Sequence, residues 1–167
     1  MIKLVIFDAD ETLWTIDRGF ASLLTPPLKR TGRDTLVDAE GKKLRLFKGV
    51  RKLLNHLREK GILLSIASSN HYEPNMVEEC LRTLELDFFV YPQVNYRDKG
   101  ENVKNLLTIL HERHGVVIGY EEVLFVDDSR AHVFNVKHLC PGIKVLHIGS
   151  DISDVTEIKK YISGLGK

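Results

Sequence analysis

Apolar positions along this 167-residue chain fall into two alternating patterns. Short runs rich in β-branched residues stand at 2–7, 62–67, 88–91, 123–126 and 143–148. Several are apolar at nearly every position, as strands buried on both faces should be. Between them apolar residues recur at helical spacing. Val50, Leu53, Leu54 and Leu57 form one stripe, and Val103, Leu106, Leu107 and Leu110 another. Met76, Val77, Cys80, Leu81 and Leu84 make a third, and Val155, Ile158 and Ile162 a fourth. Pro74 suits the first turn of the third helix. Gly61 and Gly115 stand where left-handed C-terminal caps are expected. Alternating strands and helices predict a doubly wound α/β fold with a mainly parallel sheet, whose ligands bind beyond the carboxyl ends of the strands.

One stretch breaks the alternation. Residues 15–47 hold Pro26, Pro27 and two strand-like runs on either side of Ala39-Glu40-Gly41, which predicts a β-hairpin. Following the first strand directly, this insertion should overhang the carboxyl edge of the sheet as a flap. It is too short for a large cap domain, so the reading is a single domain over 1–167 with 15–47 inserted. Residues 164–167 are expected to fray.

Composition narrows the function. An apolar share of 43% is enough for a sizeable core. The 24 basic and 23 acidic residues nearly cancel, to a net charge of +1, which argues against nucleic-acid and polybasic membrane binding. No apolar run approaches the length of a membrane span, and the first residues lack the pattern of a signal peptide. Cys80 and Cys140 form neither a disulfide framework nor a metal pair. A cytoplasmic protein is expected, as a monomer or weak dimer.

The strand ends carry the candidate chemistry. The first apolar run closes on Asp8-Ala9-Asp10-Glu11-Thr12, the second on Ser68-Ser69-Asn70, and the fourth on Asp127-Asp128. Lys99 precedes a helical pattern. Alternation along a strand can turn Asp8 and Asp10 to one side, where their mutual repulsion calls for a cation or a shared proton. Phosphoryl transfer uses such a set. A carboxylate attacks phosphorus, and a second acid serves the leaving group. Magnesium and a lysine offset phosphate charge, while hydroxyl and N–H donors hold the equatorial oxygens.

In this order, DxDxT, a strand-terminal Ser, a Lys and a strand-terminal Asp-Asp resemble the haloacid dehalogenase-like superfamily. FDADETLW, the Pro-Pro, the hairpin TLVDAEGKKLRLF, IASSN, VLFVDDSR and IKVLHIGSDIS are similar to its magnesium-dependent phosphatase-1 branch. The resemblance implies a Rossmann-like fold in which the nucleophile's strand neighbours that of the acidic pair. It further implies Asp8 as nucleophile and Mg2+ ligand. Asp10 becomes the general acid/base, with its backbone carbonyl on the metal. Ser68 would hold phosphate, with Ser69 and Asn70 in the same loop. Lys99 would steady nucleophile and phosphate, and Asp127 would ligate metal with Asp128 just outside it. The substrate classes implied are phosphotyrosine and sugar phosphates, hence a phosphoprotein or a phosphorylated small molecule. The chain departs from the branch at Ser69-Asn70, where Arg-Thr is usual, and near Ala131-His132, where an Asn is usual.

Alternatives stay open on the residues alone. Lys104, five positions on, competes with Lys99. Asp127-Asp128 could cap a helix, Ser68 could be a cap, and Trp14 and Phe20 could line the pocket or pack the flap. The histidines lack zinc spacing. A phosphoacceptor receiver module or a phosphotransferase would use similar groups, but receivers carry their acidic pair on the first strand, and here it comes last.

Overall fold

The computed structural model describes residues 1–166. A five-stranded sheet runs in the order β7-β6-β1-β8-β9, formed by β1 Leu4–Phe7, β6 Leu63–Ser68, β7 Gln93–Val94, β8 Val123–Asp127 and β9 Lys144–His147. Every pairing is parallel, with Phe7 opposite both Ile66 and Val126. Side-chain alternation sends Val5 and Phe7 to one face and Leu4 and Ile6 to the other, and both faces are covered. The first face packs under α1 Val50–Glu59, α2 Met76–Thr83 and α5 Ile158–Gly164, and the second under α3 Lys99–His114 and α4 Arg130–Leu139. This is the α/β architecture expected. The strand order reverses direction between β1 and β8, so those two strand ends form the switch point where such sheets open a crevice.

The predicted hairpin is present as β4 Thr35–Val37 and β5 Lys43–Leu46, but it is only half of what the insertion builds. β2 Trp14–Ile16 and β3 Lys29–Gly32 flank it, giving a four-stranded antiparallel sheet in the order β2-β5-β4-β3. Asp38 ties the hairpin turn together, accepting from the amides of Thr25, Glu40 and Lys42 at 2.7–3.0 Å. Trp14, Leu36, Leu44 and Leu46 pack the insertion onto the same core as β1 and α1.

Two local expectations need correcting. The predicted strand at 88–91 is not one, and the edge strand lies at Gln93–Val94. Phe88 and Phe89 stack on each other at 5.1 Å and join the core, and Tyr91 has φ +43°, which no strand tolerates. Pro74 stands outside α2, ahead of its cap: the Asn75 side chain accepts from the amide of Glu78 at 3.1 Å. Gly61 and Gly115 do adopt left-handed φ values, +74° and +64°, where α1 and α3 end. Cys80 and Cys140 are free and buried in the core. Gly164 closes α5, and the rest of the tail reaches Lys167, outside the described residues.

Candidate active site

β1 delivers Asp8 to the switch point. The Asp8 amide donates to Val126 O at 2.9 Å, one rung beyond the strand, so the sheet itself sets the height of this carboxyl. The chain then turns: the amides of Thr12 and Leu13 both donate to Ala9 O. The alternation expected to put Asp8 and Asp10 on one face therefore stops at Phe7.

Lys99 is the first residue of α3 and 2% exposed. Its Nζ donates to Asp8 Oδ1 at 2.9 Å and to Ala67 O, and lies 3.7 Å from Asp127 Oδ2. Lys104 instead pairs with Glu101 on the surface. The start of α3 is fixed by close packing on α4. A Cβ on Gly100 would fall 2.6 Å from Leu139 Cβ, and the Gly100 amide donates to Asn135 Oδ1 at 2.9 Å.

Asp127 ends β8 fully buried. Its Oδ1 accepts from the Ser129 amide at 2.8 Å, and His132 Nδ1 lies 2.9 Å from its Oδ2. The Ser129 side chain, not Asp127 or Asp128, caps α4. Carboxylate oxygens of Asp8, Asp127 and Asp128 lie within 4.8 Å of one another. Thr12 Oγ1 stands 3.5 Å from both Asp8 Oδ2 and Asp128 Oδ1. Burial pushes the Asp8 carboxyl up to about 7, with Asp127 and Asp128 adding to the rise and Lys99 opposing it. Burial and the charge of Asp127 also raise Asp128. Two of these carboxyl groups, Asp8 and Asp127, meet the Lys99 ammonium, and the all-oxygen donor set of the three fits Mg2+, a hard cation that one or two carboxylates, phosphate and water satisfy. Asp8, Asp127 and Asp128 are thus the residues whose carboxylates could hold it, Asp128 directly or through a water.

The Asp10 carboxylate is not in that group. It accepts from Trp14 Nε1 at 2.9 Å, the Ala21 amide at 3.2 Å and Asn70 Nδ2 at 2.8 Å. Trp14 both packs in the core and reaches the site, while Phe20 is partly exposed. Ser68 ends β6, buried, and its Oγ accepts from Asn70 Nδ2 at 2.8 Å. Ser69 is half-buried. Asn70, expected to bind phosphate, is instead engaged within the protein, because its Oδ1 also accepts from the Ser22 amide and hydroxyl at 2.8 and 2.7 Å. His132 and Ser22 did not figure among the sequence candidates. A His in the first turn of the helix after the acidic pair was the available signal for the former; Ser22 offered none.

The rim therefore presents a buried carboxyl beside a lysine, an oxygen cluster suited to a cation, a strand-end hydroxyl, and a second carboxyl held apart. Residues 1–157 match the family model described as Acid Phosphatase. A HAD-like hydrolase superfamily protein of Schizosaccharomyces pombe is 26% identical in an alignment 139 positions long that covers 76% of this chain and 76% of that one. The fold is shared with a superfamily hydrolase from Ehrlichia chaffeensis, 18% identical with a TM-score of 0.67, over 99% of this chain and 98% of that one. It is shared too with the N-terminal part of a Bacteroides fragilis protein, containing a phosphatase domain and complexed with Mg, at 20% identity and a TM-score of 0.66. That alignment covers 98% of this chain and 40% of the Bacteroides chain. On the family match over nearly its whole length, the chain belongs to the acid phosphatase family, phosphatases of the haloacid dehalogenase-like superfamily.

Proposed function

We propose that the protein is a Mg2+-dependent phosphomonoester hydrolase that works through an aspartyl-phosphate on Asp8. The observation that carries this reading is the 2.9 Å contact of Lys99 Nζ with Asp8 Oδ1 beside the Asp127–Asp128 oxygens. Asp8 attacks phosphorus, and the bond to the leaving oxygen breaks as Asp10 gives that oxygen a proton. Asp10 then takes a proton from water, whose oxygen attacks the aspartyl-phosphate and releases phosphate from Asp8. Lys99 holds Asp8 and offsets charge on the phosphoryl oxygens, and Ser68 offers them its hydroxyl. Mg2+ held by Asp8, Asp127 and Asp128, with the Asp10 carbonyl as the resemblance implies, would neutralise further phosphate charge and orient the group for in-line attack.

The insertion bears on substrate size. Its four short strands leave no chamber of the kind a full cap domain makes, so the reading extends to phosphoprotein side chains, phosphotyrosine among them, as well as to sugar phosphates and other small molecules. The magnesium-dependent phosphatase-1 branch remains the assignment favoured by the DxDxT-Trp14 segment and the short insertion.

The test is turnover of phosphotyrosine peptide, sugar phosphates, nucleotides and an aryl phosphate, with and without Mg2+, for wild type and Asp8→Asn. Turnover that needs Mg2+ and vanishes in Asp8→Asn supports the reading. A long-lived phosphorylated protein with no turnover would make it a signalling module, and product formation that depends on an added acceptor would make it a transferase.

A further inference from the structure

Asn70 is 1% exposed, and every hydrogen-bonding position of its side-chain amide is spent. Nδ2 gives one proton to Asp10 Oδ2 and the other to Ser68 Oγ, both at 2.8 Å. Oδ1 takes the amide and the hydroxyl of Ser22. No donor remains for a phosphate oxygen. Ser22 belongs to the short 3-10 turn Ala21–Leu23 of the insertion, and its hydroxyl also accepts from the His71 amide at 2.8 Å. The neighbouring Ala21 amide donates to the other oxygen of Asp10, as does Nε1 of Trp14, the residue that leads into the insertion. Asp10 is thus gripped by the insertion at one oxygen and by Asn70, itself held by the insertion, at the other.

We propose that Asn70 is a positioning residue: it ties the Asp10 carboxyl to Ser22 of the insertion and thereby sets the line along which Asp10 serves the leaving group. This rests on the phosphatase reading above. It makes the insertion part of the acid/base apparatus, and it predicts a signature that general loosening would not give. An aryl phosphate with a strongly acidic phenol departs without a proton, whereas an alkyl phosphate needs one. A misplaced Asp10 therefore penalises alkyl substrates selectively in kcat/KM, which reads only the steps up to departure of the leaving group, whereas its effect on hydrolysis of the shared aspartyl-phosphate falls on both substrates alike. A lost phosphate ligand would instead weaken binding of inorganic phosphate and slow both substrates alike.

The experiment compares kcat/KM for p-nitrophenyl phosphate and a primary alkyl phosphate, and the inhibition constant of inorganic phosphate, in wild type, Asn70→Ala and Ser22→Ala. Thermal unfolding of each variant is followed in parallel. The expected result for Asn70→Ala is a loss of kcat/KM on the alkyl phosphate at least tenfold greater than on the aryl phosphate, with phosphate inhibition within about threefold of wild type. Ser22→Ala, which keeps the Ser22 amide on Asn70, should show the same bias more weakly and carries the test if Asn70→Ala does not fold. Equal losses on both substrates, or phosphate inhibition weakened tenfold, would overturn the assignment while leaving the phosphatase reading intact. A wild type that hydrolyses neither substrate would overturn both.

Discussion

Lys99 Nζ and Asp8 Oδ1 meet at 2.9 Å from positions 91 residues apart, and neither side chain is more than 10% exposed. An ammonium this deeply buried is held by the acids around it. Lys99→Ala would leave the Asp8 and Asp127 carboxyls together without their cation. The expected cost is about 3 kcal/mol at pH 7.5, with turnover reduced at least a hundredfold. The stability deficit should shrink at pH 5, where Asp8 can hold a proton. Urea titrations at the two pH values check this; a deficit that does not change with pH would mean that Lys99 contributes only packing.

Asp8 has its own pH signature. Its carboxyl is raised in the folded protein to about 7 from an ordinary 3.8. Between these values the unfolded chain has lost this proton and the folded one retains it. The contribution of Asp8 to stability is therefore full below pH 4 and is lost as pH rises to 7. Other groups add slopes of their own, so the readout is a difference. In metal-free buffer, Asp8→Asn should gain on wild type progressively from pH 4 to 7, by on the order of a few kcal/mol, and level off above. Adding Mg2+ at pH 7.5 should raise the unfolding temperature of wild type and scarcely move the variant.

His132 orients Asp127 from the first turn of α4. Groups that hold a metal-binding side chain in place are commonly worth 10- to 100-fold in metal affinity. His132→Ala is expected to raise the Mg2+ concentration for half-maximal turnover by about tenfold while leaving the rate at saturating Mg2+ within a few-fold of wild type. An unchanged magnesium titration would remove His132 from that role.

Gly100 is the point where α3 touches α4. The methyl of Gly100→Ala would press on Leu139, within 3.1 Å of three of its atoms, and would push the start of α3 outward with Lys99 on it. Overpacking of this kind costs roughly 1–3 kcal/mol. Turnover should fall together with stability; turnover kept at the wild-type level despite the lost stability would show that Lys99 does not depend on this contact.

Much of the site was legible because apolar runs end where water begins. Asp8 and Asp127 each follow an unbroken apolar stretch, and Ser68 one interrupted only by Ser65, so their place on the rim follows from the strands alone. The insertion was harder. β2 alternates as Trp-Thr-Ile but is only three residues long, and β3, Lys-Arg-Thr-Gly, is polar and largely exposed, so neither gives a readable strand pattern. At 88–91 the opposite failure occurred: a hydrophobic run earned its place by packing over the core rather than by pairing. What no pattern could reveal was the allocation of donors. That Asn70 faces Asp10 and Ser22 rather than phosphate, and that His132 reaches Asp127, depends on side-chain directions set by contacts from distant segments.

The amide of Asp8 continues the β1–β8 ladder, and this makes the sheet a measuring device. A slip of one residue in that pairing would carry the Asp8 carboxyl along the rim by about 3.3 Å and exchange every inward side chain of β1 with its neighbour. Because Leu4 to Phe7 are buried on both faces, no such slip can occur without breaking the core. The same four residues therefore keep the interior dry and set the height of the Asp8 carboxyl, so the placement of that group is inherited from the act of folding.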